Sequence, residues 1–324
     1  MRARGKRGAI VVLLAGCILG IYLAKVLHRG FKVPYVQTQL VWSIGIYAGK
    51  SPFNLVSPPG VKNPVLTPKD VTDVPASSLA DPFMVLENGQ WHLFMEVLNR
   101  QSKKGEIGLA TSKDGKTWRY QQIVLAELFR LAFPYVFKAD GGYYMIPDTT
   151  QSYAVRLYRA VEFPGKWALA GILLPQALAN PCLIQYSGKW WLFGCRMAGQ
   201  QDIKMGSFLE VFFADNLLGP YVRHPKSPVA SGPHFSRPGG RVIDFGGRLV
   251  RYAQDTRQLH ALEITKLTPE DYEEKEIPLE PPLRDQGRGW NGKGLGTVDP
   301  HPLADGTWIA CVDGQDRVLE FDWK

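Results

Sequence analysis

The chain has 324 residues, 45% of them hydrophobic, 11% aromatic and 21% charged, which excludes disorder as its main state and leaves room for a sizeable core. Its formal charge of +8 invites a nucleic-acid reading, but seven of the 38 basic residues fall within positions 1–32, where no acid occurs, and the remainder carries only +1. A basic groove for phosphate backbones is therefore not expected, and no nucleic-acid partner is assigned.

Residues 1–8 form a basic tail with Arg2, Arg4, Lys6 and Arg7. From Ala9 to Leu27 runs AIVVLLAGCILGIYLAKVL, whose only charge is Lys25, close enough to the end to snorkel. As a helix of about 1.5 Å per residue it spans roughly 28 Å, close to a hydrocarbon core. The expectation is one transmembrane helix over 9–27 with a cytoplasmic N-terminus, a linker over 28–40, and an extracytoplasmic domain over 41–324. A rival lies in the same residues: Leu14-Ala15-Gly16-Cys17 resembles a bacterial lipoprotein box, with Cys17 as the lipidated residue.

Beyond the linker a hairpin pattern recurs five times. It starts at Asp81, Phe133, Asn180, Arg237 and Asp299, at separations of 52, 47, 57 and 62 residues. Each copy has a residue before Pro, an apolar run, a Gly-containing turn and a second apolar or aromatic run. A second pattern follows the first four copies in phase: IGLATSKDGKTW, VRLYRAVEFPGKW, LEVFFADNLLGPY and LHALEITKLTPEDY. Four strands per unit at this period predict an all-β, five-bladed β-propeller with four-stranded blades. The fifth copy lacks its outer pair, and WSIGIYAGKSPF from Trp42 to Phe53 matches what is missing, so both chain ends are expected to close the last blade. Long amphipathic helices, which a doubly wound fold needs after each strand, are absent from the sequence.

In a propeller the inner strands start near the axis, so Asp81, Phe133, Asn180, Arg237 and Asp299 are expected to point into one funnel. Glu96 and Asp148 come just after the second strands of blades one and two and are placed in the same cleft. Paired carboxylates flanking a pocket suit glycoside cleavage, one protonating the leaving oxygen and one acting as base or nucleophile. Asp81, Asp148 and Glu96 are therefore the catalytic candidates. Trp290 is a candidate stacking face for a sugar ring, and Arg237 and Arg241 candidates for hydroxyls or an anionic group. Asn291, beside Trp290, and Asp299 and His301, in DPH on an inner strand, complete the expected ligand-binding set with Arg130 and Asn180.

Other motifs fail on context. GRGWNG satisfies GxGxxG without a leading strand or a following helix, and the Gly45–Ser51 stretch runs into Pro52. No GxSxG, HExxH or DxD occurs. Cys182, Cys195 and Cys311 show no metal-type spacing, so neither a zinc site nor a disulfide framework is implied, although Cys182 and Cys195 flank a predicted turn and could pair. No cofactor and no metal are expected, and the chain is expected to be monomeric.

ADPFM, GEIGLATSKDGKTW, FPYVF with YYMIPD, KWWLF, RPGGR, and GWN followed by DPH resemble the propeller domain known as the N-terminal domain of glucosamine inositolphosphorylceramide transferase, a bacterial and plant family. That domain is similar in turn to the arabinanase, levansucrase and invertase group of five-bladed glycosidases. The resemblance covers about residues 41 to 324, and in the plant proteins the transferase activity is attributed to a separate C-terminal domain. It implies a carbohydrate or glycolipid ligand, with Asp81 as nucleophile or base. It also implies acids where Phe133 and Asn180 stand. The closer family's pattern has His at the position of Arg130, Glu at that of Asp148 and Asp at that of Asn180. Two readings follow: a glycoside hydrolase acting on envelope polysaccharide or glycolipid glycans, or a non-catalytic glycan-binding module supporting their assembly.

Overall fold

The computed structural model describes residues 34–198, 206–255 and 257–323. The basic tail, the expected transmembrane helix and Cys17 lie outside these residues. Among the described residues no helix is long and apolar enough to cross a membrane. The chain divides into two compact units, Val41–Asp316, and Met1–Leu40 with Arg317–Lys324. Every side chain discussed below belongs to the first.

Five antiparallel sheets make five blades. The chain enters on β1 (Pro34–Ser51) and β2 (Asn54–Val56). Blade one is β3 (Ala76–Glu87), β4 (Gln90–Asn99), β5 (Lys104–Ser112) and β6 (Arg119–Leu125). Blade two is β7 (Ala132–Ala139), β8 (Gly142–Asp148), β9 (Val155–Glu162) and β10 (Lys166–Leu174). Blade three is β11 (Ala179–Tyr186), β12 (Lys189–Met197), β13 (Ser207–Ala214) and β14 (Val222–Arg223), with the short β15 (Ala230–Ser231) also on β13. Blade four is β16 (Ile243–Phe245), β17 (Arg248–Gln254), β18 (Leu259–Leu267) and β19 (Tyr272–Ile277). The chain ends on β20 (Gly294–Pro302) and β21 (Trp308–Trp323), and blade five runs β20-β21-β1-β2, so both ends close it as expected. β1 begins at Pro34, inside the stretch expected as linker.

The inner hairpins of blades one to four turn on Asn88-Gly89, Asp140-Gly141, Ser187-Gly188 and Gly246-Gly247, every one of these residues at positive φ. Two successive left-handed residues match the right-handed twist of the flanking strands, which is why Asn, Asp and Gly recur there. The outer turn of blade one is held by Asp114, whose carboxylate accepts the backbone N–H of Lys116 and Thr117 at 2.8 and 2.7 Å and the hydroxyls of Ser112 and Thr117.

Each inner strand of blades one to three carries the same bulge. Ala80 pairs with Glu96 and the next pair is Phe83 with Phe94; Ala132 pairs with Asp148, then Tyr135 with Ile146; Ala179 pairs with Cys195, then Cys182 with Phe193. The skipped residues are Asp81-Pro82, Phe133-Pro134 and Asn180-Pro181. Proline has no N–H for the ladder, and the residue before it sits at φ 52°, 47° and 52° in turn. A left-handed non-glycine costs about 1–3 kcal/mol, so three aligned at one end of the inner strands mark a place where geometry outranks local stability.

Blade five differs. Leu295 pairs with Gly314 and Val298 with Val312, so the bulge falls on Gly296-Thr297, and Asp299 pairs with Cys311 deeper in the strand. The equivalence of Asp299 with Asp81, expected from the shared Asp-Pro, is therefore out of register: Asp299 stands level with Met84, whose N–H it accepts at 2.7 Å. In blade four Arg237 and Pro238 lead the inner strand without a left-handed residue before the Pro. Aromatic side chains fill the seams between blades, as where Phe133 meets Phe83 edge-on at 4.6 Å with both fully buried. Cys182, Cys195 and Cys311 are buried free thiols, so the pairing raised for Cys182 and Cys195 is not formed.

Candidate functional site

The bulges bring backbone N–H groups to one end of the central channel, and acids from neighbouring blades take them up. Asp313, opposite the bulge of blade five, accepts the N–H of Asp81 at 2.8 Å and those of Gly296 and Thr297 at 2.8 and 2.7 Å. Asp81 in turn accepts the N–H of Phe133 at 3.2 Å and the Thr297 hydroxyl at 2.9 Å. Asp148 accepts the N–H of Asn180 at 3.2 Å and that of Thr150 at 3.0 Å. Asn180 donates its side-chain amide to the Pro238 carbonyl at 2.8 Å and accepts Arg237 Nη2 at 3.2 Å, while Arg237 Nε is buried with no partner among the described residues. One polar chain thus runs from blade five through blades one, two and three to blade four.

Glu96 is the most deeply placed candidate acid. Arg130, half-exposed in the loop between blades one and two, clamps it with both nitrogens, Nε to Oε1 at 2.7 Å and Nη2 to Oε2 at 2.8 Å. Gly105 makes room: a Cβ there would lie 2.2 Å from Glu96 Oε1. Burial pushes the Glu96 carboxyl above its ordinary value; Arg130 pulls it back without reversing the rise, and the carboxylates of Asp81 and Asp148 add to it. Burial and the Asp81 charge push Asp313 up to about 7, against the backbone N–H groups that favour its ionised form.

Asp81, Glu96, Asp148, Arg130, Asn180 and Arg237 are therefore gathered at this mouth. Arg241, Asp299 and His301 form a second group. Arg241 Nε meets Asp299 Oδ1 at 2.6 Å, its Nη2 reaches Asp299 Oδ2 at 3.3 Å and the carbonyls of Val136 and Met84 at 3.0 and 3.4 Å, and His301 Nε2 lies 2.9 Å from Asp299 Oδ2. Burial raises the Asp299 carboxyl, yet Arg241 and His301 more than reverse this and hold it at about 2. Trp290 and Asn291 sit elsewhere, against blade five. The half-buried indole packs where side chains at Gly45 and Gly314 would stand, and Asn291, buried, donates to the Tyr47 hydroxyl at 3.1 Å.

Three residues of the mouth escaped the sequence reading. Asp313 and Thr297 belong to a bulge that the Asp299-Pro300 repeat obscured, although Asp313, like Glu96 and Asp148, lies on a second strand, not after it as the sequence suggests for those two. Tyr153, 66% exposed with φ 52°, stands in the loop Thr149–Ala154 whose Gln151 accepts the N–H of Arg130 at 2.9 Å. That bond ties the loop to the rim and leaves an aromatic ring on its surface.

A five-bladed propeller of this kind is the fold of a class of glycoside hydrolases. An exo-1,5-α-L-arabinanase from a bovine ruminal metagenomic library superimposes with a TM-score of 0.51 at 16% identity, covering 77% of this chain and 94% of that one. The Cellvibrio cellulosa α-L-arabinanase complexed with arabinohexaose gives 0.51 at 14%, covering 75% and 96%. Such identities establish the fold. Residues 36–315 match the family described as "Glucosamine inositolphosphorylceramide transferase 1, N-terminal", and the chain belongs to that family. The protein of that name from Oryza sativa subsp. japonica is 35% identical over 306 residues, covering 87% of this chain, and that from Arabidopsis thaliana is 34% identical over 304 residues. The chain spans about 41% of the length of the rice relative and 40% of the Arabidopsis one.

Proposed function

We propose that this protein acts on a carbohydrate at the funnel mouth, and that the mouth carries glycosidic-bond chemistry on a polysaccharide or glycolipid glycan. The observation that carries this is the convergence of three acids, Asp81, Glu96 and Asp148, with Arg130 in one buried, mutually interacting cluster. Asp81 is the base or nucleophile. Its two oxygens are oriented by the Phe133 N–H and the Thr297 hydroxyl. Glu96, held above the ordinary carboxylate range, is the acid, with Asp148 raising its proton affinity further. Arg130 and Arg237 contact hydroxyls or a phosphate of the ligand, and Tyr153 offers a stacking face at the rim. The relatives' name supports a glycolipid headgroup bearing inositol phosphate as the ligand class.

A second reading is a glycan-binding module without turnover. It is favoured by Phe133 and Asn180, which occupy the bulge positions of blades two and three and supply no acid, and by the hydrogen bonds already taken up by both oxygens of Asp81 and Asp148. In either case residues 9–27 anchor the propeller outside the cytoplasm, with lipidation at Cys17 as the alternative. A panel of envelope glycans and glycolipids, assayed for binding and for release, tests both. Under the catalytic reading Asp81→Asn lowers turnover on the order of 10²- to 10⁴-fold and affinity much less. Wild-type turnover in that variant removes Asp81 from the chemistry; binding without release by the native protein establishes the module.

A further inference from the structure

The chain carries a second constellation far along the sequence from the acids of the mouth. His234 lies in the loop between β15 and β16, Asp255 follows β17, and His260 is on β18. Their side-chain ligand atoms all lie within 4.8 Å of one another. His234 Nδ1 is 3.1 Å and His260 Nε2 3.4 Å from the same oxygen, Asp255 Oδ2. A tetrahedral zinc ion with nitrogen and oxygen ligands at about 2.0–2.2 Å separates its ligand atoms by roughly 3.3–3.5 Å, so these spacings suit one ion held between them.

The surroundings are those of a built site. The other oxygen of Asp255 accepts the backbone N–H of Arg257 at 2.7 Å and of Gln258 at 2.9 Å, fixing which oxygen turns inward. The other nitrogen of His260 is 2.7 Å from Glu276 Oε1 on β19. With Nδ1 against Glu276 Oε1, His260 turns Nε2 toward Asp255 Oδ2, so a ring nitrogen and a carboxylate oxygen face one point. A carboxylate behind an imidazole is the usual support of a metal-bound histidine. Phe235 packs edge-on against the His260 ring at 5.1 Å, and His260 and Asp255 are each only 11% exposed at the side chain. The Gln258 amide lies 3.2 Å from His260 Nε2 and presents its oxygen to the same point after half a turn. His234 and Asp255 also line a cleft of about 960 Å³ with Arg257, Gln258, Pro281 and Arg284.

We propose that His234, Asp255 and His260 form a three-ligand Zn²⁺ site on blade four whose remaining position opens on this cleft. Two imidazoles favour zinc over calcium or magnesium, which take oxygen ligands. Spacings of 21 and 5 residues match no metal motif, and the expectation of no metal, drawn from the cysteine spacing, does not weigh these residues.

The test uses the full chain, purified in detergent without a polyhistidine tag, stripped with chelator and titrated with Zn²⁺ against a chromogenic competitor. The expected result is one equivalent bound, with Asp255→Asn and His260→Gln each weakening it by about 100-fold or more. Glu276→Gln, which leaves all three ligands in place, weakens it about 10- to 100-fold. His234→Gln, on an exposed ring, serves should the buried variants fail to fold. No stoichiometric binding overturns the proposal and leaves an imidazolium bridging two carboxylates. Native affinity in the ligand variants overturns it as well, placing the metal elsewhere.

Discussion

The mouth acids and the Arg241–Asp299 lock are both built from buried carboxylates around one axis, and their charge balances are opposite. In the lock one carboxylate meets one guanidinium and one imidazole, and Arg241 spends its remaining N–H groups on carbonyls of blades one and two. At the mouth Asp81, Glu96, Asp148 and Asp313 gather around the single clamp of Arg130, with Arg237 bound to Asn180. Compensated charge ties inner strands together; at Glu96 and Asp313 burial raises the carboxyl pKa values and neighbouring acids add to the rise. The first arrangement stabilises a ring, and the second raises the pH at which its carboxyls ionise.

The largest expected effect breaks the lock. Asp299→Ala strands Arg241, 14% exposed at the side chain, without its counter-charge and costs about 3–5 kcal/mol in chemical unfolding. Adding Arg241→Met recovers most of that loss, because an apolar pair needs no compensation. If the double variant is no more stable than Asp299→Ala, the pair acts through something other than charge.

The two regions are expected to titrate in opposite senses. Asp299, held at about 2 against an ordinary value near 3.8, contributes stability that is present above about pH 4 and lost as pH falls through about 2. Asp313, pushed up to about 7, contributes stability that is complete below about pH 4 and lost as pH rises through about 7. Melting temperatures from pH 2 to 8 should therefore separate two variants. Asp313→Asn flattens the slope between about pH 4 and 7, by at most about 1.4 kcal/mol per pH unit. Asp299→Asn lowers stability at every pH above about 4 and removes the fall between about pH 4 and 2. Equal slopes for Asp313→Asn and the native chain would remove Asp313 as a proton-holding group.

A smaller effect sharpens the picture of the mouth. Gly105→Ala places a Cβ 2.2 Å from Glu96 Oε1 and 2.3 Å from the Leu131 carbonyl, so it should cost about 1–3 kcal/mol and displace Glu96 from Arg130. A crystal structure of the variant with the clamp intact would show that the site yields more easily than its packing indicates. Smallest is Tyr153→Ala, on an exposed ring. It should weaken glycan binding several-fold in a titration, and unchanged affinity would leave the rim ring without a role.

Blade count, strand count and the closure of the last blade by both ends were legible in the sequence because they rest on local signals. Turn dipeptides such as Asn88-Gly89 and Asp140-Gly141 demand left-handed backbone, and alternating apolar runs demand a buried face. Asp81, Glu96 and Asp148 come together because Asp81 precedes Pro82 on one inner strand while Glu96 and Asp148 lie on the second strands of blades one and two. The register of blade five was not legible. Asp299-Pro300 and Asp81-Pro82 are the same dipeptide, and only the pairing of Leu295 with Gly314 and Val298 with Val312 moves the bulge to Gly296-Thr297. That shift turned Asp299 into the partner of Arg241 and brought Asp313 to the mouth. The meeting of His234, Asp255 and His260 likewise depends on a loop folding onto the β17–β18 turn. Local backbone preference determined where strands turn; the packing of one blade against the next, which no local preference encodes, decided which acids are buried together and which are paired with a base.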